Sequence, residues 1–381
     1  QRMGRAGRMM AGKCIRLYSD EDFQRRNEQS ASEIQQADLL PMVIEVARWG
    51  VKQFNELPLI ELPAKLLETQ AWQELQKLQI LDDKRNLTPL GKNVAGFACH
   101  PRFAKMIVRA SALEKKHQYL GLTNLAALLA SLLEDRDIFR GERAFTDCDL
   151  RHRLSELIQQ SNSKKYQSFF LQTKKHLQRI NEVSVSNLSS LPVELTGLLL
   201  ALAYPERIAK QRAQYGHFLA ENGKGLMINE QDALASEDYI VAANLAEYQQ
   251  KLQVRLAAPV DIKQLINLGI IAEKQIKQLN YDSKTQRISA KQQTVFGAIV
   301  LSEKPSNEQL SDEALATLWQ QQIERNGLSY LHWREADQKL LSRWRWVNQT
   351  QPHLNFPNVE ESDLLQHLAL WLVPFIGAIK N

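Results

Sequence analysis

The chain opens with the string QRMGRAGR, which holds the residues best suited to chemistry. Arg5 and Arg8 stand three residues apart and would share one face of a helix. The small residues between them let the backbone approach a phosphate closely. A guanidinium group matches the geometry of phosphate oxygens and stays charged at every relevant pH. An isolated pair of arginines would suit a solvated basic turn, but the whole eight-residue string favours a site for the terminal phosphate of a nucleotide.

Basic residues in the second half of the chain are candidates for binding a nucleic-acid backbone. The segment YPERIAKQR carries Arg207, Lys210 and Arg212, and two more cations follow at Arg287 and Lys291. A net charge of +5 and a pI near 8.9 are compatible with such a partner. We expect these residues to line one rim of a groove, and the alternative interpretation is a solvated helix end.

The cysteines and histidines do not have the spacing of a metal site. Cys14, Cys99 and Cys148 are far apart and form no CxxC pair, so we expect incidental thiols in a reducing compartment. His100 precedes Pro101 and is expected to cap a helix or lie in a loop. No other histidine has a partner at a metal-ligand spacing. The sequence therefore predicts no metal site in this chain.

The elements that would position these residues must form several domains, because 381 residues exceed one ordinary core. Apolar residues at 44% and charged residues at 24% indicate a soluble globular protein. The most apolar run, residues 364–379, is too short for a membrane span and is interrupted by Pro374. Since no signal-peptide pattern is present either, we expect a cytoplasmic protein.

The first hundred residues show strong local signals. The piece GKCIRLYS alternates like a short strand, and a helix is expected to start at Asp20. Further on, Asp38 can cap a helix that ends at Gly50, and Pro63 suits the first position of a second helix. The stretch ILDDKRNLTPLG then indicates a small hairpin, followed by a helix with Thr88 as its cap. Helices followed by a small hairpin suggest a winged-helix domain.

The rest of the chain changes from helices to strands and back. Helices are expected over 101–116, 122–134, 149–160, 166–181 and 192–203. Around Asn222-Gly223 the pattern becomes that of a hairpin, since glycine accepts the positive φ of a tight turn. The strands that follow favour a small β-barrel, interrupted by a helical segment, IKQLINLGII. The tail is helical and rich in tryptophan, which we interpret mainly as core rather than as a stacking platform.

The string QRMGRAGR resembles motif VI of superfamily 2 helicases, in the form typical of DEAH-box proteins. Three further segments resemble the bacterial HrpB helicases: LAALLASLLEDRDIFRG, YPERIAKQRAQYGHFLAENGKG and the tryptophan-rich tail from Leu318 to Ile379. The resemblance implies that Gln1, Arg5 and Arg8 reach the γ-phosphate of ATP, with Arg8 as the arginine finger. Arg2 would be structural.

The resemblance also implies a multidomain, mainly α-helical fold with a small β-barrel. Residues 1–36 would be the end of a second RecA-like domain, and 37–98 a winged helix. Residues 99–205 would be a helical ratchet domain, 206–304 an OB-fold-like barrel, and 305–381 a truncated HrpB-type C-terminal region. Neither a GxxxxGK[ST] loop nor a DEAH box occurs in the sequence. The chain is therefore expected to be a piece cut at both ends and inactive by itself.

The function implied is the C-terminal part of an ATP-dependent 3′–5′ RNA helicase or translocase. ATP and Mg²⁺ would serve the complete protein, and no tightly bound cofactor is expected on this piece. Single-stranded RNA and the missing N-terminal RecA-like domains would be its partners, without a membrane, and a monomer is expected. One alternative is an ATP-independent module that binds RNA or protein. Another is a splicing-type DEAH helicase, which explains the tryptophan-rich tail poorly.

Overall fold

Helices dominate the described part of the chain, and two separate sheets lie between them in sequence. The computed structural model describes residues 7–25, 32–183, 185, 187–248, 250–282, 287–306, 320–331 and 333–376. It divides into two compact units. One comprises Gln1–Phe218 with Gly225–Ile262, and the other comprises Leu219–Lys224 with Lys263–Asn381. A fold that is about half helical, with a small closed barrel of five strands, is thus confirmed.

The strand predicted within GKCIRLYS is absent. Ile15 and Leu17 are largely exposed, at 82% and 94%, and no strand pairs with this segment within the described ranges. An extended segment without a neighbouring strand has no ladder of hydrogen bonds to hold it. The short helix α1 (Asp20–Gln24) does form as expected, and Ser19 Oγ accepts a hydrogen bond from the Asp22 amide at 3.1 Å.

Three helices and a hairpin make up the region after residue 37, as the sequence predicts. Their bounds are α2 (Leu40–Arg48), α3 (Lys65–Lys77) and α4 (Pro89–Val94). Asp38 Oδ1 accepts from the Leu40 amide at 2.8 Å, and Thr88 Oγ1 accepts from the Gly91 amide at 3.0 Å. Leu81 and Leu87 pair as the antiparallel bridge of the hairpin. The shared core includes Val43, Phe54, Trp72, Leu75 and Ile80.

The next region is all-helical. It contains α5 (Pro101–His117), α6 (Leu122–Glu134), α7 (Arg143–Thr146), α8 (Leu150–Gln159), α9 (Gln167–Arg179) and α10 (Thr196–Ala203). All five expected helices are present, and only α10 starts well after its predicted position. Val193–Leu195 forms a separate 3₁₀ turn there. A Cβ on Gly197 would meet the Pro259 carbonyl oxygen at 1.9 Å, so only glycine lets α10 lie this close to the barrel.

Five strands close into the barrel: β1 (Ile208–Gln211), β2 (His217–Ala220), β3 (Gly225–Met227), β4 (Tyr239–Tyr248) and β5 (Lys251–Pro259). Their order around the barrel is β1-β2-β3-β5-β4. β1 and β4 are antiparallel, whereas β3 and β5 run parallel. The predicted turn at Asn222-Gly223 lies between β2 and β3, and Gly223 has a φ of +82°.

The barrel ends earlier than expected, so its predicted bounds of 206–304 are too wide. After β5 comes the expected helix, α11 (Ile262–Asn267), and then a separate antiparallel sheet in the order β6-β7-β8. These strands are β6 (Lys274–Asp282), β7 (Arg287–Phe296) and β8 (Ile299–Ser306). Since β1 already pairs with β4, every barrel strand has two neighbours and the barrel offers no free edge for a sixth strand.

Backbone hydrogen bonds join the helical region to the barrel. The Ala257 amide in β5 donates to the Cys148 carbonyl at 2.9 Å, beside a parallel bridge between Asp149 and Ala257. The Cys148 amide in turn donates to Asp232 Oδ2 at 2.6 Å. The segment before α8 therefore continues the hydrogen-bonding pattern of the barrel wall.

The tail contains a helical stretch at 320–326, then α12 (Glu335–Thr350), α13 (Glu361–Gln366), α14 (Leu368–Trp371) and α15 (Val373–Ile376). Trp333 and Trp371 pack against a small cluster of Ile323, Leu328 and Leu368. These two tryptophans are partly buried against that cluster, whereas Trp346 is exposed and Trp319 lies outside the described residues. In the described part of the chain, no helix has the length and apolar character needed to cross a bilayer.

Candidate nucleic-acid interface

Arg8 is the part of the phosphate-binding string that the structure describes. Its side chain is exposed, and the neighbouring Gly7 has open space around it, with nothing within 4 Å of a Cβ built there. Gln1, Arg2 and Arg5 lie outside the described residues. The accessibility of Arg8 is compatible with a ligand-binding role, and the geometry of the complete string stays a prediction.

Arg207, Lys210 and Arg212 lie on and beside the first barrel strand. The Arg207 guanidinium lies 4.3 Å from the Tyr204 ring, and its Nη1 donates to the Ala243 carbonyl at 2.9 Å. Lys210 pairs with Tyr239 across β1 and β4, with its ammonium 5.9 Å from that ring. Arg212 is exposed. Arg207 is therefore largely structural, and the more accessible Arg212 is better placed for a ligand.

Arg287 and Lys291 lie on β7, in the separate sheet of the other compact unit. They do not belong to the barrel, contrary to expectation. Lys291 Nζ lies 2.8 Å from Glu303 Oε1, and hydrogen bonds from Lys291 and Gln293 lower the pKa of Glu303. The lysine charge is thus already matched by a carboxylate, which weakens its case as a phosphate contact.

A network of charged residues is centred on Arg102, at the start of α5, and none of the site residues predicted from the sequence belongs to its centre. Arg102 is almost fully buried, and its Nη1 donates to the Ala203 carbonyl at 2.5 Å. Its Nη2 forms ion pairs with Glu206, at 3.0 Å, and with Glu74. Burial alone would lower the pKa of Arg102, but the two glutamates outweigh it and hold that pKa above its usual value. Arg102 therefore joins α3, α5 and the segment before β1.

His100 extends this network and has the capping role that the sequence predicts. Its Nδ1 accepts from the Arg102 amide at 3.3 Å, so its Nε2 carries the proton and donates to Asp38 Oδ2 at 3.1 Å. Burial raises the pKa of Asp38, but hydrogen bonds from His100 and the Leu40 amide lower it overall. The His100 amide donates to Glu134 Oε1 at 2.6 Å. These groups surround a cavity of about 730 Å³ beside Arg102.

The signal for this network was present in the sequence as two similar segments, HPRF at 100–103 and YPER at 204–207. Each places an arginine one or two residues after a proline that opens a helical turn. The principal partners of Arg102 are already within the protein, so the network holds elements together. Within the described ranges, no cluster of His, Cys, Asp or Glu has the geometry to hold a metal ion.

No family model matches the chain. The ATP-dependent RNA helicase HrpB of Escherichia coli is 28% identical over 387 residues, a match that covers 100% of this chain and 44% of that protein. A crystal structure of the E. coli DExH-box NTPase HrpB superposes with a TM-score of 0.65 and 26% identity over the whole chain. The resemblance to HrpB helicases is confirmed.

The match to HrpB covers more of the chain than the matches to two other RNA helicases. The probable RNA helicase DHR2 of Saccharomyces cerevisiae is 30% identical over 162 residues, or 42% of this chain. The human probable RNA helicase DHX35 is 30% identical over 140 residues, or 36% of this chain. The chain spans less than half the length of each of these relatives, and the region it matches is their C-terminal part.

Proposed function

We propose that this chain is the C-terminal part of an ATP-dependent 3′–5′ RNA helicase of the HrpB type. The observation that carries the proposal is the match to E. coli HrpB along the entire chain, in sequence and in structure. The same observation favours the HrpB type over the type of the RNA helicases DHX35 and DHR2, since each of these matches less than half of the chain. In this proposal the protein acts as a monomer on single-stranded RNA in the cytoplasm.

The fold supports the domain roles in this proposal. A hairpin that follows helices α2 and α3 supports a winged helix at 37–98, and helices α5 to α10 support a ratchet domain at 99–205. The five-stranded barrel with its parallel β3–β5 pair supports an OB-fold, now limited to 208–259. Residues 1–36 would complete a RecA-like domain, and 305–381 would form the HrpB-type C-terminal region.

In this proposal the first eight residues bind the nucleotide. Gln1, Arg5 and Arg8 would contact the γ-phosphate of ATP, and the exposed Arg8 would act as the arginine finger. Such an arginine stabilises the charge that develops during phosphoryl transfer, an effect on the order of 10³ to 10⁵ in rate. The phosphate-binding loop and the acidic residues that hold Mg²⁺ are not in this sequence. The chain alone should therefore not hydrolyse ATP.

The RNA path in this proposal follows the first barrel strand, at Lys210 and Arg212. An OB-fold binds single strands through a basic groove, mostly by contacts to the backbone. Arg207 would support this groove through its contacts to Tyr204 and the Ala243 carbonyl. Arg287 and Lys291 are weaker candidates for RNA contacts, because they lie in the separate sheet.

A binding experiment with a fluorescent single-stranded RNA tests this proposal. The chain should bind in the absence of ATP, and affinity should fall steeply between about 50 and 200 mM salt as phosphate contacts release counterions. The double variant K210A/R212A should bind several-fold more weakly with a shallower salt slope. The variant K339A also removes a positive charge and should bind normally, because Lys339 is paired with Glu335 on α12. Tight binding that ignores salt would contradict the proposal.

Arg8 separates the helicase hypothesis from that of a binding module without an ATP role. In the complete protein, R8A should abolish most ATP turnover and leave RNA affinity unchanged. If R8A leaves turnover intact while RNA still binds, the arginine-finger assignment is wrong and Arg8 has no part in ATP hydrolysis.

A further inference from the structure

The cavity beside Arg102 contains a tyrosine whose hydroxyl makes no hydrogen bond to the described part of the chain. Tyr204 lines this cavity and is only 7% exposed. The guanidinium groups of Arg102 and Arg207 lie 4.8 and 4.3 Å from the centre of its ring, and so they contact the ring rather than the hydroxyl. The hydroxyl oxygen itself is not sealed from solvent. Because buried polar atoms normally find partners, a hydroxyl left open in a cavity points to a ligand.

Carboxylates stand around the same cavity. Asp38, Glu74 and Glu134 all line it, and each side chain is partly or largely exposed. None of the three accepts more than two hydrogen bonds from the described residues, whereas a carboxylate can accept about four. Burial raises the pKa of Tyr204, and the negative charge of Asp38 adds to that rise, so this carboxylate acts on the hydroxyl. The open hydroxyl and the acidic groups therefore belong to one site.

The arginines beside the cavity are already matched by acceptors of the protein. Arg102 is paired with Glu74 and Glu206. Arg207 Nη1 donates to a carbonyl of β4, and its Nε lies 3.6 Å from Glu206. His100 accepts a hydrogen bond through Nδ1 and so adds no positive charge. Two arginines thus stand against four carboxylates, and the surplus of negative charge favours a cation as the ligand.

Part of the cavity wall is apolar. Leu40, Leu67 and Phe103 line it, and Leu40 and Phe103 are each 6% exposed. A ligand with a methylene chain can cover such a wall while its charged end stays among the carboxylates. The volume of about 730 Å³ lies within the range of small-molecule sites. This combination fits an amine on a methylene chain better than a metal ion or an anion.

We propose that this cavity binds an alkylammonium ion. The methylene chain packs along Leu40 and Leu67, and the ammonium donates to the Tyr204 hydroxyl and to the carboxylates of Asp38 and Glu134. An ammonium group has three donors and no acceptor, so it can satisfy these oxygens together. The ion comes either from a free polyamine or from a lysine side chain of a protein segment. Binding at this site needs neither RNA nor ATP and goes beyond the helicase function proposed above.

Titrations of the chain with separate amines distinguish the two sources. The probes are cadaverine, spermidine and a lysine tripeptide with blocked ends, together with the same tripeptide carrying norleucine instead of lysine. Binding is followed by calorimetry and by the ¹³C shift of Tyr204 Cζ, which is assigned with the variant Y204F. Cadaverine or spermidine binding that moves this resonance identifies a polyamine site. Binding of the lysine peptide alone, with the same shift, identifies a site for a lysine side chain. Both results support the proposal.

Variants of the lining residues test the polar contacts. Y204F keeps the ring beside Arg102 and Arg207 but removes the hydroxyl, and should weaken binding of the amine roughly three- to tenfold. E134Q removes one negative charge and should weaken binding several-fold. D135N neutralises the next carboxylate in the chain, which is exposed but does not line the cavity, and should bind normally.

A larger side chain at the edge of the cavity provides a test that does not depend on Tyr204. Gln70 lines the cavity from an exposed position on α3, so Q70W should fill the space without disturbing the core and should abolish binding. Q73W places the same ring at another exposed position of α3 that does not line the cavity, and should leave binding unchanged. This pair keeps the test decisive even if Y204F folds poorly.

Three outcomes would overturn the proposal. One is that no amine binds, or that amines bind Q70W as tightly as the unmodified chain, which would mean that only solvent fills the cavity. Another is that the norleucine peptide binds as tightly as the lysine peptide, since the carboxylates would then have no role. The third is that inorganic phosphate moves the Tyr204 resonance and the amines do not. Because no measurement involves RNA or ATP, each of these failures would leave the proposed helicase function untouched.

Discussion

Arg153 and Asp137 form a two-point ion pair inside the helical region. Arg153 Nε lies 2.8 Å from Asp137 Oδ1, and Nη2 lies 2.7 Å from Oδ2. The arginine side chain is 0% exposed, and its remaining Nη1 donates to the Asp147 carbonyl at 2.7 Å. This side chain therefore ties the loop after α6 to the start of α8, at the cost of burying a full charge.

Removal of Asp137 should be strongly destabilising. D137A leaves the buried Arg153 with only the Asp147 carboxylate, 3.7 Å from its Nη1, and should lower the free energy of unfolding by up to about 3–5 kcal/mol. Urea denaturation followed by circular dichroism measures the change. D83A removes an exposed carboxylate from the hairpin and should change stability by less than about 0.5 kcal/mol. Equal effects of the two substitutions would mean that the buried pair carries little energy.

Arg102 should not tolerate lysine. The guanidinium reaches the Ala203 carbonyl, Glu74 and Glu206 at once, and a single ammonium cannot reproduce that fork. We expect R102K to lower the free energy of unfolding by about 1–3 kcal/mol. R48K alters an exposed arginine on α2 whose partner Glu45 is 3.6 Å away, and should be neutral. A stable R102K protein would show that the three contacts are not coupled.

Lys105 gives a pH-dependent prediction. It is buried on α5, and burial, with Arg109 and Arg102 nearby, lowers its pKa from 10.5 to about 8. The unfolded chain thus holds more protons between about pH 8 and pH 10.5, and this residue makes stability rise with pH across that window. K105M should stabilise the protein at pH 7 by on the order of 2 kcal/mol.

The same substitution is checked by comparing thermal unfolding of K105M and the unmodified chain from pH 7 to pH 11. The advantage of K105M should shrink above pH 8 and vanish near pH 10.5. A constant difference across that range would show that Lys105 does not titrate there.

His176 should make the free energy of unfolding depend on pH on the acid side. Because burial lowers its folded-state pKa below the usual 6.5, the unfolded chain takes up a proton first as pH falls. The contribution of this residue to stability is present above about pH 6.5 and is lost progressively below it. H176F should remove that part of the acid dependence, as measured by denaturation between pH 7 and pH 5. An unchanged acid slope in H176F would contradict the prediction.

Local signals in the sequence predicted local structure well. Thr88 with Pro89 fixed a helix start, and Asn222-Gly223 fixed a hairpin, because each conformation depends on neighbouring residues alone. The resemblance to HrpB could also be recognised from the sequence, since it rests on continuous segments of residues. The strand expected in GKCIRLYS and the limits of the barrel were wrong, because strand pairing depends on partners far away in the chain.

The charged network shows the same limit at the level of a site. The partners of Arg102 are 28 and 104 residues away, so no spacing rule connects them. Arg207 was found by its charge, yet its role as a support for the barrel depends on Tyr204 and Ala243. The burial of His176 and the lack of a hydrogen-bond partner for its Nε2 could not be predicted from the sequence, since both are properties of the folded chain.

The amide of Ala257 and the carbonyl of Cys148 share one hydrogen bond across the boundary at residue 205. A gene cut at that boundary would leave both groups, and the Cys148 amide that bonds to Asp232, without partners. Two regions that share backbone bonds open together rather than in turn, as one cooperative unit. The helical region and the barrel should therefore exchange their amide protons at matching rates and melt in a single transition. A substitution that destabilises one of them should destabilise the other as well, so the two would evolve as one unit.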